Sequence, residues 1–298
     1  MTKENNTNRE HKATLFHVLF SDRKTLLTLY NAVNHTAYDN PAELTITTLE
    51  DVIYIGMKND LSFLIGHTLN LYEHQSTWNP NMPLRGLLYF AELYQGYVEE
   101  NKLDLYTSTQ LKLPMPQFIV FYNGEKDQED RKVLRLSDAF PNLEGKAPCL
   151  ECNALMLNIN IGHNKELLNQ CRKLNEYAIF VEKVRTHTAN GLKLKAAIDL
   201  AADECIQEEV LADLLRKNRA EVCNMLLREY DEAAHIENEK KISYEEGQEK
   251  TQEKLFLMMI EDYLAEGFSK EQIVGKLVNR YGVTQEKAEE YFAKFQGK

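Results

Sequence analysis

The chain has 298 residues, enough for one large domain or two modest ones, and 43% of them are hydrophobic, which supports a real core. With 46 acidic against 35 basic side chains the formal net charge is −11; this argues against broad nucleic-acid binding, since phosphate contact needs Lys and Arg, although a groove can be positive locally. No apolar run approaches the roughly 20 residues of a membrane span, the polar opening MTKENNTNREHK is unlike a secretory signal, and the odd count of five cysteines points to reduced thiols in a cytoplasmic protein.

In chain order, residues 1–10 read as disordered. Leu15, Phe16, Leu19, Phe20, Leu26, Leu27 and Tyr30 recur at helical spacing, which predicts one amphipathic helix over 12–34. Residues 44–49 and 52–55 suit a first strand with a bend. Residues 59–75 read as a hairpin. Asn79, Pro80 and Pro83 break the chain before a helix over 82–99. An apolar strand over 117–122 ends at Asn123-Gly124, a charged loop occupies 125–131, and 154–161 alternates as a final strand. The expected core order is helix, three strands, helix, strand.

Beyond Asn164 the pattern is helical: 165–186, 192–202, and a pair over 206–230 broken near Lys217-Asn218. Residues 231–250, rich in Glu and Lys, form a charged linker, either a solvated helix or a flexible connector. The last fifty residues read as a separate three-helix module. One helix covers 255–264 and ends at Gly267. Ser269 with Gln272 forms a capping box for a helix over 271–281, and Gly282 precedes a third from Thr284 through Phe295. Such a module either binds DNA or a partner, or serves packing and dimerisation.

The hairpin carries the most chemistry. Gly66 can take the positive φ of a tight turn, and β-prone residues flank it on both sides. With Gly66 and His67 as the central residues, antiparallel partners have numbers summing to 133, so Asp60 lies opposite Glu73. Directly opposed side chains share a face, with Cβ atoms roughly 4.5–5.5 Å apart. Gln75 shares that face and His74 points away. Two carboxylates and an amide then converge on a patch able to hold a hard divalent cation such as Mg²⁺. The plainer reading is a pair of solvated surface charges, and a slip of one residue would send the carboxylates to opposite faces.

These residues also resemble a known family. Asp60 followed by Glu73-His-Gln75 is similar to the PD-(D/E)XK nuclease signature in its Gln-for-Lys form. The stretches 51–60, 72–77, Asn79-Pro-Asn-Met-Pro-Leu-Arg85, Phe121-Tyr-Asn-Gly124, Leu155-Met-Leu-Asn-Ile-Asn160, 162–166 and 218–222 resemble the Rpn family of recombination-promoting nucleases, also described as YhgA-like transposases. The likeness runs from about His11 to Tyr230. It implies an α/β fold of the PD-(D/E)XK, restriction-endonuclease-like type over 11–187, a central mixed sheet flanked by helices. A helical extension over 188–230, the linker over 231–250 and the module over 251–298 follow. It implies a metal-dependent DNA endonuclease acting in recombination or transposition. Asp60, Glu73 and Gln75 are then catalytic, with Mg²⁺ (Mn²⁺ substituting) held by Asp60, Glu73 and the backbone carbonyl of His74. One position departs from the pattern: Ala13, in Lys12-Ala-Thr-Leu-Phe16, stands where the family has an acidic residue. This favours one metal ion over two and keeps a second class open, a catalytically weak or inactive relative that binds DNA or protein.

Other candidates sit around this patch. Arg85, near the start of the helix after the hairpin, suits a substrate phosphate, though a surface Arg is the simpler reading. Tyr89 follows one turn on, as a cleft or a core aromatic. Lys58 shares the face of Asp60, opposite Gln75, and could supply the charge that an amide lacks. His67 and His74 read as structural, and His163 has no evident partner. Cys149 and Cys152 form a C-x-x-C unit without a second pair at zinc-finger spacing and read as loop thiols. The expected partners are DNA and a homo-oligomeric copy, with no membrane.

Overall fold

The computed structural model describes residues 14–48, 60–141 and 146–296; side chains within 232–243, 245–250, at 253 and at 296 are not described. The expected disorder of 1–10, Ala13, Lys58 and the strand over 52–55 lie outside these residues.

The predicted helix over 12–34 is two helices. α1 (Leu15–Phe20) is capped by Thr14, whose side chain accepts from His17 N. The chain breaks at Ser21-Asp22, because the Asp22 carboxylate takes the N–H groups of Lys24 and Thr25 at 3.1 and 3.0 Å and starts α2 (Arg23–Asn34). Apolar periodicity carried through this break, since both helices bury the same face; the cap, a polar local signal, decided it. β1 (Thr45–Ile46) is short, and β2 (Leu61–Ile65) and β3 (Thr68–Gln75) form the expected hairpin, with Gly66 at φ 56° in the turn. α3 (Met82–Glu100) begins at the Pro-containing break, as expected. β4 (Met115–Tyr122) follows. The sequence reading then missed β5 (Arg131–Arg135), an edge strand in which Leu134 is the buried residue. One buried side chain in five residues gives too little alternation to separate it from the charged loop before it. β6 (Asn153–Asn158) closes the sheet.

The six-stranded mixed sheet has the order β1-β2-β3-β4-β6-β5, with β3, β4 and β6 parallel and the others antiparallel to their neighbours. Each face buries its own apolar layer. On one, α3 places Met82, Tyr89, Phe90 and Leu93 over Leu69, Leu71, Phe118, Val120 and Met156. On the other, α1, α2 and the later helices cover Leu61, Phe63, Tyr72, Phe121 and Leu157. Alternation in β3 thus sends odd-numbered residues towards α3 and even-numbered ones towards α1.

The predicted helix over 165–186 is also divided, at Cys171, into α4 (Lys165–Gln170) and α5 (Arg172–Ala189). α6 (Leu194–Gln207) is followed by a helical stretch, α7 (Ala212–Ala265), interrupted by non-helical backbone at Asn218, where a break was expected. The charged segment 231–250 is helical in this stretch. The chain divides into two compact units, Met1–Asp231 and Glu232–Lys298. The second has a core of its own, built from Phe256, Ile260, Ile273, Leu277, Ala288 and Phe292. Its α8 (Lys270–Tyr281) starts at the expected capping box, and α9 (Gln285–Gln296) follows the left-handed Gly282. Among the described residues no helix is long and apolar enough to cross a membrane.

Candidate metal centre

The hairpin register pairs Leu61 with Tyr72 and Ile65 with Thr68, both summing to 133 as expected. One step further, Asp60 meets Glu73. The Asp60 N–H donates to Glu73 Oε1 at 3.0 Å, and the His74 N–H donates to Asp60 Oδ2 at 2.7 Å. Each carboxylate is therefore fixed by the neighbouring strand's backbone. In a strand, N–H and C=O of one residue point to the same side, so the His74 carbonyl emerges towards the Asp60 edge.

Glu73 is only 2% exposed and faces α3. Arg85, in the first turn of α3, donates from Nη2 to Glu73 Oε2 at 3.1 Å and to the buried Tyr89 hydroxyl at 3.0 Å. Gln75 points to the same side: its Nε2 lies 2.6 Å from Met82 Sδ, which is also 3.7 Å from Arg85 Nη1. The structure thus brings Asp60, Glu73, Gln75 and Arg85 together, with Tyr89 in the core beneath. Sequence reasoning missed that Arg85 holds Glu73, because nothing local to either residue encodes the contact.

Burial, and then the neighbouring Asp60 carboxylate, push the Glu73 carboxyl up to about 8, against the opposing pull of Arg85 and of the Asp60 N–H. Burial alone would lower the Arg85 guanidinium, but Glu73 and Tyr89 outweigh it and raise it. Burial and Glu73 raise the Tyr89 hydroxyl to about 12. The donors are hard oxygens, and Mg²⁺ commonly binds through one or two carboxylates while keeping several waters. Among the described residues no group of three or more His, Cys, Asp or Glu side chains converges. A cation here would thus take the Asp60 and Glu73 carboxylates and the His74 carbonyl, with water completing its shell. The residues fit such an ion.

His74 turns to the other face, as expected. Its Nε2 lies 3.0 Å from Asn123 Oδ1 and 2.9 Å from the Tyr177 hydroxyl, and its ring stacks on Phe16 at 5.1 Å. Burial holds the imidazole down at about 4, so it is neutral near pH 7. Asn123 Nδ2 donates to Tyr177 Oη at 2.9 Å, and Arg185 bonds the Asn123 carbonyl and Asn160 Oδ1. The polar residues of Phe121–Gly124 and Leu155–Asn160 therefore tie the ends of β4 and β6 to α5. His163 does have a partner, Asp130 Oδ1 at 2.6 Å. All five cysteines are free; Cys149 is exposed and Cys152 partly buried.

Searches of the chain against protein-family models, curated proteins and solved structures find no match.

Proposed function

We propose that this chain is a Mg²⁺-dependent deoxyribonuclease of the PD-(D/E)XK type in its Gln form, an Rpn-like cytoplasmic endonuclease that hydrolyses DNA phosphodiesters in recombination or transposition. The observation that carries this reading is the interlock of Asp60 and Glu73, with the His74 carbonyl on the same edge. A Mg²⁺ ion held there would supply charge against the scissile phosphate and acidify an attacking water, and Mn²⁺ would substitute. Asp60 and Glu73 would hold the ion. Gln75, in place of the usual Lys, orients water or a phosphate oxygen by hydrogen bonding, which an amide can do without charge. Arg85 offers a planar fork suited to phosphate; Lys58, two residues from Asp60, is a further candidate cation for the substrate.

The test is cleavage of plasmid DNA by purified protein in Mg²⁺ or Mn²⁺. Parent protein should nick the plasmid, and Asp60→Asn and Glu73→Gln should slow cleavage by about a hundredfold or more. Intact DNA with parent protein, or parental rates in both variants, would sink the reading. The ion pair between Arg85 and Glu73 favours a second reading, a silent relative in which a built-in cation stands for the metal and the fold binds DNA or a partner. Parent protein that binds duplex DNA equally well with EDTA and with Mg²⁺, and never cuts it, would favour that reading.

A further inference from the structure

Arg85 makes incomplete use of its donors. Nη2 reaches the oxygens of Glu73 and Tyr89; Nη1 has the Met82 thioether at 3.7 Å, a weak acceptor; and Nε is buried without a hydrogen-bond partner among the described residues. The side chain remains 28% exposed while its partner Glu73 is only 2% exposed. It is thus anchored at one nitrogen, with much of its fork unspent.

We propose that Arg85 is an exchanging counter-ion. It holds Glu73 while no divalent cation is bound, and it transfers to a phosphodiester oxygen of the substrate when a cation takes Glu73. This rests on the reading of Asp60 and Glu73 as metal ligands. The electrostatics give the exchange a distinctive sign. The Arg85 guanidinium, 3.1 Å from Glu73 Oε2, repels a divalent cation that approaches the same carboxylate, so neutralising Arg85 raises cation affinity. A residue that merely supported the fold would not tighten metal binding when removed, and one that bound phosphate without holding Glu73 would lose duplex affinity in EDTA as much as in Ca²⁺.

The test is a Mn²⁺ titration, followed by the electron paramagnetic resonance of the free ion, on parent, Arg85→Met and Arg85→Gln proteins. Arg85→Gln keeps a donor towards Glu73 and preserves the buried contact should Arg85→Met fail to fold. Without DNA, the variants should bind Mn²⁺ about tenfold tighter than parent. Affinity for a short DNA duplex should fall about tenfold in Ca²⁺ and stay unchanged in EDTA, where Arg85 is tied to Glu73. Variant Mn²⁺ affinity equal to or weaker than the parent's overturns the exchange, as does a loss of duplex binding in EDTA as large as in Ca²⁺. Parent protein that binds no Mn²⁺ overturns the metal-site reading itself, and the exchange with it.

Discussion

Asp60 and Glu73 hold each other through main chain rather than by direct contact of their acids: Glu73 Oε1 accepts the Asp60 N–H at 3.0 Å, and Asp60 Oδ2 accepts the N–H of the residue after Glu73 at 2.7 Å. Hydrogen bonds to ionised carboxylates are stronger than neutral ones. Both acids are thereby pre-positioned, at the price of bringing like charges together under a helix.

That arrangement makes metal-free stability depend on pH through Glu73. Its folded-state value, about 8, exceeds the ordinary 4.5, so the folded protein holds a proton that the unfolded chain releases. The stabilisation is complete below about pH 4.5 and is lost as pH rises towards 8. In EDTA, Glu73→Gln should remove this loss and stabilise the protein at pH 8 by a few kcal/mol. Mg²⁺ should stabilise the parent there and leave the variant unmoved. Urea midpoints across pH 5–8, with and without Mg²⁺, measure both effects.

His74 imposes the opposite slope at lower pH. Its ring is held at about 4 against an ordinary 6.5, so the unfolded state binds the proton first. The stability it contributes is present above about pH 6.5 and is lost as pH falls towards 4, by up to roughly 3 kcal/mol. His74→Gln should flatten the pH dependence of urea stability over that window, so that the parent-minus-variant difference falls as pH is lowered. An unchanged slope would show that the ring is protonated in the folded protein.

Gly86 sets the approach of α3 to the sheet. A Cβ added there would collide with the Phe118 ring of β4. Gly86→Ala should therefore destabilise the protein by about 1–3 kcal/mol by overpacking, despite the better helix propensity of Ala. By pushing α3 outward it should also move Arg85 away from Glu73 and weaken any nuclease activity. A variant with parental melting temperature would refute the close approach.

The two units each bury a core of their own, so a chain ending at Asp231 should unfold in one cooperative transition, keep its near-ultraviolet circular dichroism and match the full chain in the proposed DNA-cleavage assay. Sedimentation of the shortened and full chains measures whether residues 232–298 carry self-association. Loss of near-ultraviolet signal in the shortened chain would show that the first unit does not fold alone.

The hairpin was legible in the sequence because its determinants are local: a glycine at φ 56° and alternating side chains on either side fix register, and register fixes which residues face Glu73. The capping box at Ser269 was legible for the same reason. The break at Asp22 was not, since apolar spacing runs through it. β5 was hidden because an edge strand needs only Leu134 inside. The hold of Arg85 on Glu73 depends on the angle at which α3 crosses the sheet, which packing at Gly86 and Phe118 decides. Asn123 and Asn160 stood in recognisable motifs and Tyr177 in none, and their roles as ties between strand ends appear only once β4, β6 and α5 lie side by side.

The short connection between the two acids also bears on how the molecule assembles. Asp60 and Glu73 are 13 residues apart, so a hairpin closing in microseconds brings them together, while Arg85 arrives only when α3 packs down. The nascent hairpin meets its like charges in water, where they are screened. Docking of α3 then strips that water from Glu73. The barrier to completing this layer is therefore electrostatic as well as topological, and the refolding rate should rise in mild acid, where the proton is already in place before the helix closes over it.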